Sequence, residues 1–164
     1  MVFMTKGQIL QRLFIRFLIA KKFEKYEFTQ IWSLFIENRK YLNTEENFEF
    51  IYQFFKQLLE KRFFIIDMEK LPLKYTSAYE SYELKKFNLP EELQSAYESI
   101  FIKTKSLEKD LQKNEMEIQY FEEYFKEYPV IQFQIELLLH KKQQEHLKLK
   151  TQVDVLKELI KTFD

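Results

Sequence analysis

The residues that could do chemistry in this chain are few, and their spacing argues against a reaction centre. The only histidines, His140 and His146, lie six residues apart in a helical region and therefore on different faces of the helix. One helix presents two histidines to a metal when they are four residues apart. The carboxylates Glu122, Glu123 and Glu127 have the pattern of a solvated helix edge. We therefore expect a non-enzymatic protein with no catalytic residue, no metal and no cofactor.

The composition excludes further classes of protein. The chain has no cysteine, so it has no thiolate nucleophile, disulfide or zinc-finger thiolate. A single glycine among 164 residues rules out a glycine-rich phosphate loop. The most apolar stretch, residues 9–20, contains Arg12 and Arg16 and is too short to span a bilayer. We expect a cytoplasmic protein that does not enter a membrane.

The charges are distributed unevenly along the chain, although they sum to zero. Residues 1–90 carry a net charge of +4 and residues 91–164 carry −4. This asymmetry weakly indicates nucleic acid as a partner of the first half and protein as a partner of the second. A dedicated DNA-binding protein is usually more basic than this.

Apolar residues at three- and four-residue spacing predict three helices in the first half, over residues 6–23, 27–41 and 43–62. The third helix has two candidate N-caps, Asn43 and Thr44, and Glu46 stands in the reciprocal capping position for Asn43. A β-rich run at 63–66 follows, then a polar tip at 70–76 that contains Pro72, then an aromatic run at 78–84. Helix, strand, loop and strand form the second half of a winged helix-turn-helix. The alternative is an irregular connector with a helix over residues 78–86.

From residue 91 onward the pattern changes to long helices. Pro90 followed by two acidic residues is a typical helix start. Heptad registers run on both sides of Pro129, which predicts either an antiparallel hairpin or one kinked helix. The sequence therefore predicts a mainly α protein, with a winged-helix domain over residues 1–88. Residues 89–164 form a helical hairpin or coiled coil for oligomerisation.

The apolar seam of the two heptad registers is the predicted oligomer interface. We expect it to bury against helices of the same chain and of a second copy, giving a homodimer, or against a different protein partner. Its members are Leu107, Leu111, Ile118, Phe121, Leu149, Val153, Leu156 and Ile160.

Two segments carry a resemblance to a known family. The sequences LLEKRFFI (58–65) and YESYEL (79–84) resemble the end of the third helix and the wing of winged-helix regulators of the PadR-like and MarR-like kind. The resemblance implies an N-terminal winged helix that binds DNA, followed by helices that dimerise. The chain departs from those families after the third helix, where Lys61-Arg62 replaces a turn that often contains glycine.

If duplex DNA is bound, the third helix is expected to enter the major groove. The acidic residues at its start, Glu45, Glu46 and Glu49, would be repelled by phosphates. Residues farther along the helix could contact bases or backbone, two lysines could reach DNA from the wing tip, and a further basic group could clamp the backbone. These three groups are Tyr52, Gln53, Lys56 and Gln57; Lys70 and Lys74; and Lys21, Lys22, Lys25, Arg39 and Lys40.

Phe50 and Phe54 support a second hypothesis. They lie off the core stripe of the third helix, and exposed aromatics of this kind mark protein interfaces. The chain could then be an accessory subunit of a larger assembly, of a condensin or defence type, whose winged helix and hairpin bind protein. We favour a dimeric transcription regulator because DNA binding is the commoner use of the predicted fold.

Overall fold

The computed structural model describes residues 4–163, which form two compact units, one ending at Asn88 and the other beginning at Leu89. We call them the N-terminal unit and the helical hairpin. Mainly helical structure with one small sheet confirms the predicted class. The elements are α1 (Lys6–Ala20), α2 (Phe28–Ile36), α3 (Glu45–Glu60), β1 (Phe64–Asp67), β2 (Lys74–Ser77), α4 (Ser81–Phe87), α5 (Glu91–Glu127) and α6 (Gln132–Lys161).

Helix α1 begins with a capping box and ends earlier than predicted. The Gln8 N–H donates to Thr5 Oγ1 at 3.1 Å, and the Thr5 N–H donates to Gln8 Oε1 at 2.8 Å. The predicted end at residue 23 is wrong, because Lys21 is already extended, with φ −140° and ψ 129°. The chain leaves the helix there since the Phe23 carbonyl accepts a bond from the Ser77 N–H at 2.8 Å.

Helix α2 is also shorter than predicted. It ends at Ile36, where we expected residue 41, and the residues from Lys40 to Leu42 form a separate 3₁₀ turn. The guanidinium of Arg39 folds back to donate to the Phe35 carbonyl at 3.1 Å, which satisfies one of the free carbonyls of the last helical turn.

Helix α3 is capped at both ends by local hydrogen bonds. Of the two candidate N-caps, Thr44 is the one used, and its hydroxyl accepts from the Asn47 N–H at 3.1 Å. At the other end, the N–H groups of Arg62 and Phe63 donate to the carbonyls of Leu59 and Leu58, at 3.0 and 3.2 Å. This pair of hydrogen bonds is the Schellman motif, which places the residue after the C-cap in the left-handed region of backbone conformation. Arg62 occupies that position with φ 62°, in place of the usual glycine.

We expect Arg62→Gly to stabilise the N-terminal unit by about 1 kcal/mol, because glycine adopts positive φ without a Cβ clash. Chemical denaturation followed by circular dichroism measures the change. The matched control is Lys61→Gly, one residue earlier, where φ is an ordinary −81°. That variant should lose stability, and equal responses of the two variants would contradict the strain at Arg62.

The sheet differs from the prediction in its second strand. β1 pairs antiparallel with β2, with Phe64 opposite Ser77 and Asp67 opposite Lys74. The expected strand at 78–84 is wrong, since β2 lies earlier and residues Ser81–Phe87 are helical, as the alternative proposed. A capping box explains this: the Glu80 N–H bonds Glu83 Oε1 at 3.3 Å, and Leu84 turns into the core.

Aromatic rings form most of the core of the N-terminal unit. Phe14 of α1 meets Phe35 of α2 edge to face, at 5.3 Å between ring centroids. Phe54 of α3 lies 6.4 Å from Phe14 and 6.2 Å from Phe87 of α4. The expectation that Phe54 is an exposed interface anchor is therefore wrong: it is only 4% exposed, because α1 and α4 both cover that side of α3. Phe50 is 39% exposed.

Truncation should separate these two phenylalanines. Phe54→Ala should lower the free energy of unfolding by about 3–5 kcal/mol, since it leaves a cavity among packed rings. Phe50→Ala should cost clearly less because its ring is partly in solvent. Urea denaturation of both variants tests this, and an equal loss would mean that Phe50 is also a core residue.

The second unit is an antiparallel hairpin, which settles the choice between a hairpin and a kinked helix. α5 and α6 are joined by a 3₁₀ turn over Pro129–Ile131. The heptad face of both helices points inward, and the seam residue Val153 is buried together with Thr104, Asn114 and Ile135 on the same face. At the far end, the rings of Tyr97 and Phe163 meet at 5.4 Å between centroids.

Candidate nucleic-acid interface

One face of α3 is open to solvent and carries three of the four α3 residues predicted to contact DNA; the fourth, Tyr52, is half-buried off this face, against Phe28 and Phe48. Positions three or four apart form a continuous stripe along a helix. Beyond the acidic first turn, this stripe contains Gln53, Lys56 and Gln57, all exposed as expected, and ends at Glu60. The exposed part of the stripe is Glu45, Glu46, Glu49, Gln53, Lys56, Gln57 and Glu60.

The acidic start of α3 has a local physical cause. Glu45 and Glu46 occupy the first turn, where carboxylates interact favourably with the free N–H groups of the helix. Lys56 is the single basic residue among the α3 positions Glu45–Glu60. The basic potential that would attract a phosphate is therefore confined to the second half of the helix.

Lys56 is held in place by an aromatic pair. Its ammonium lies 4.6 Å from the centroid of the Tyr52 ring, a cation–π arrangement. The Tyr52 ring in turn packs 5.1 Å from the ring of Phe28, at the start of α2. Burial and the neighbouring Tyr52 both raise the pKa of Tyr75 on β2. Tyr52 therefore joins Lys56 of α3 to Phe28 of α2.

The wing region carries its two lysines differently from the prediction. Lys70 is exposed in the loop between the strands, as expected for a tip residue. Lys74 is the first residue of β2, stands opposite Asp67 in the register and is exposed. The loop between the strands also exposes Met68, Glu69 and Leu71, and Ile65 is strongly exposed on β1.

The residues predicted to clamp the DNA backbone fall into two groups. Lys22 and Arg39 serve internal contacts, since Lys22 donates to the Tyr79 carbonyl and Arg39 caps α2. Lys21, Lys25 and Lys40 are exposed. Lys25 has a positive φ of 57° beside β2, where its backbone N–H bonds Thr76 Oγ1 at 3.0 Å.

The predicted hairpin interface residues lie in the seam and, apart from the buried Val153, are partly exposed. Two helices enclose a seam from two sides only, so part of each side chain stays open. The partly exposed residues are Leu107, Leu111, Ile118, Phe121, Leu149, Leu156 and Ile160.

A polar layer interrupts this seam, and we predicted no role for its residues. Asn114 is buried there and donates from Nδ2 to the Lys142 carbonyl at 3.2 Å. Lys142 forms an ion pair with Glu117 at 2.6 Å, which lowers the pKa of Glu117 and raises that of Lys142. The signal in the sequence was polar residues, Asn114 and Lys142, at core heptad positions.

The histidines take part in local hydrogen bonds of the hairpin. His146 Nε2 lies 3.2 Å from Glu115 Oε1 across the two helices, and His140 Nε2 lies 3.1 Å from Gln144 on the same helix. Within residues 4–163, no three potential ligands converge as a metal site would require. None of the helices in that range combines the length and apolarity needed to cross a membrane.

Comparisons with known proteins add no relative to this description. No family model matches the chain, and neither a curated protein nor a solved structure matches it significantly.

The Tyr79 hydroxyl gives a pH-dependent test of how α1 joins the sheet region. It donates to the Leu18 carbonyl at 2.5 Å and lies 3.0 Å from the Lys21 carbonyl, at the end of α1. Burial raises its pKa, so its contribution is complete below its ordinary value of 10.0 and is lost as pH rises through the higher folded value. Tyr79→Phe should cost about 1–3 kcal/mol near neutral pH, because a buried carbonyl loses its donor.

The difference between the original protein and Tyr79→Phe should shrink above about pH 10, where the ordinary tyrosine ionises. Urea denaturation at neutral and alkaline pH measures it. Tyr41→Phe, at an exposed tyrosine, is the matched control and should show no effect at either pH. A difference that stays constant with pH would mean that the hydroxyl does not make this bond.

Proposed function

We propose that the N-terminal unit is a winged-helix domain that binds duplex DNA, and that the chain acts as a dimeric, non-enzymatic transcription regulator. One observation carries this proposal. Tyr26 and Tyr75 exchange two backbone bonds, N–H to carbonyl, at 3.0 and 2.7 Å. The segment 23–26 therefore runs beside β2, and β1 lies on the other side of β2.

This arrangement supports the winged-helix assignment because of its order along the chain. A helix, a short extended segment, two helices and a two-stranded hairpin follow one another, and the extended segment adds one antiparallel bridge, Tyr26 with Tyr75, to the outer side of β2. In such a domain the last of the three helices enters the major groove and the β-hairpin reaches the flanking DNA. Here those elements are α3 and the β1–β2 hairpin.

The groups proposed to contact DNA are those that remain exposed near these elements. Gln53 and Gln57 present amides that can read base edges, and Lys56 is positioned by Tyr52. Lys70, Lys74 and Lys25 from the wing side, with Lys21 and Lys40, would contact phosphates. The helical hairpin supplies the dimer. The absence of cysteine fits a reducing compartment such as the cytoplasm.

A second candidate function is favoured by a specific observation. The start of α3 is acidic at Glu45, Glu46 and Glu49, and the β1–β2 hairpin exposes Ile65 on β1 and Met68 and Leu71 in its loop. Acidic and apolar groups repel phosphate or gain nothing from it, whereas both suit a protein surface. Under this alternative, the winged helix and the hairpin bind the partners of a larger assembly.

Binding to DNA at different salt concentrations separates the two functions. A regulator should bind a fluorescent duplex from its own upstream region, with an affinity that falls steeply as salt rises. Lys56→Glu, or Lys70→Glu with Lys74→Glu, should weaken binding about tenfold, and loss of each phosphate contact should reduce the salt slope by about one. Fluorescence anisotropy measures both quantities.

The matched control is Lys150→Glu, an exposed lysine of the hairpin that should leave binding unchanged. Circular dichroism confirms that each variant is folded. If neither the upstream duplex nor a random duplex binds even at low salt, DNA binding is wrong and the protein-binding alternative stands.

A further inference from the structure

Along one side of the helical hairpin, the exposed residues of α6 follow a similar order of apolar and polar types in both chain directions. The cavity between the helices, about 380 Å³, is lined on this flank by Asp110, Glu117, Glu145, Lys148 and Gln152 among others. Steps of seven residues return to the same face of a heptad helix. Leu138 and Leu159 are seven residues from Glu145 and Gln152, and Val155 is seven from Lys148, so these apolar residues share the flank. We call it the open flank.

The open flank of α6 is self-complementary about a point between residues 146 and 147. Leu138 lies on one side of that point and Val155 equally far on the other, and they are 49% and 51% exposed. Lys141 and Gln152 are the next symmetric pair, and Glu145 and Lys148, which carry opposite charges, are the innermost one. An antiparallel copy of α6 would therefore place apolar on apolar at both ends and carboxylate on ammonium near the centre.

An unsatisfied polar atom lies beside the same point. Asn114 is 3% exposed and lines the cavity, and its Oδ1 has no hydrogen-bond donor within residues 4–163. A buried acceptor without a donor lowers stability, so it indicates a missing partner. The long side chains around it, Lys113, Glu117 and Glu145, can rotate to admit a donor.

We propose that a second copy of this chain covers the open flank, packing its α6 antiparallel on α6 about a two-fold axis between residues 146 and 147. Lys148 of each copy then enters the cavity of the other, where Glu145 and the Asn114 oxygen accept from its ammonium. The inference rests on the proposed dimer and gives it an interface. A two-fold interface requires a self-complementary patch, which this stripe provides.

The absence of cysteine makes single-cysteine variants clean probes of this arrangement. Leu138→Cys and Val155→Cys should each give little covalent dimer with a short bismaleimide, whereas an equal mixture of the two should cross-link efficiently. Lys148→Cys, close to the axis, should cross-link with itself. Leu147→Cys is the control, because it is exposed at the same level of α6 but on another flank.

Two results would overturn the proposal. A mixture of Leu138→Cys and Tyr124→Cys that cross-links, while Leu138→Cys with Val155→Cys does not, would show parallel hairpins. A monomer mass by sedimentation equilibrium at micromolar concentration would show that no second copy binds. Neither measurement involves DNA, so the dimer and the DNA-binding function can fail independently.

A charge exchange tests the central contact. Glu145→Lys and Lys148→Glu should each raise the dimer dissociation constant about tenfold, since each places like charges opposite one another. The double variant restores opposite charges in a two-fold pair and should return to within about threefold of the original. Thermal melts monitored by circular dichroism show whether each hairpin is still helical. Failure of the double variant to recover, with the helices intact, would contradict the pairing of Glu145 with Lys148.

Discussion

The pairing of Tyr26 with Tyr75 is the contact on which the N-terminal unit depends. Residues 23–26 are too short to form a strand alone, yet they exchange backbone hydrogen bonds with β2 in both directions. These bonds terminate α1 and set the start of α2. They also hold the β1–β2 hairpin against the helices. The side chains reinforce it, since Tyr26 packs on Phe23 and Tyr75 packs on Phe55 of α3 at 4.9 Å between centroids. Without these contacts the β1–β2 hairpin would lose its position and direction relative to the helices of this unit.

The parts of the fold that could be predicted from sequence are those with a local cause. Heptad spacing identified the inward face of α5 and α6, and Thr44 was one of two proposed caps. The second strand was misplaced because its position depends on partners far away in the chain, at Phe23 and Tyr26, which composition does not reveal. The burial of Phe54 was predicted wrongly for the same reason. The single buried stripe expected for α3 takes no account of α4, whose residues were expected to form a strand, with a helix only as the alternative.

The candidate site was predicted less well than the fold, because no periodicity in the sequence distinguishes a lysine that is free to bind a ligand from one that makes internal contacts. Lys22, Arg39, Lys21 and Lys40 were all predicted to contact the DNA backbone, and the sequence does not distinguish them. In the structure, Lys22 and Arg39 donate to carbonyls of their own unit. Lys56 is exposed and lies over the ring of Tyr52, four residues earlier, without a hydrogen bond to a carbonyl of its own unit among those described. Such a spacing can be recognised from sequence, and it is the strongest local argument for a functional lysine on α3.

The two units bury their apolar residues to different degrees, and the difference leaves apolar surface of the hairpin open for the proposed second copy. The N-terminal unit encloses its core on several sides, with Phe14, Phe35 and Phe55 fully buried. In the hairpin, two helices meet along a single line, and most of the seam stays partly open while large apolar side chains such as Leu138 remain in solvent. Covering that surface removes apolar area from water, so association would stabilise the hairpin as well as join two chains.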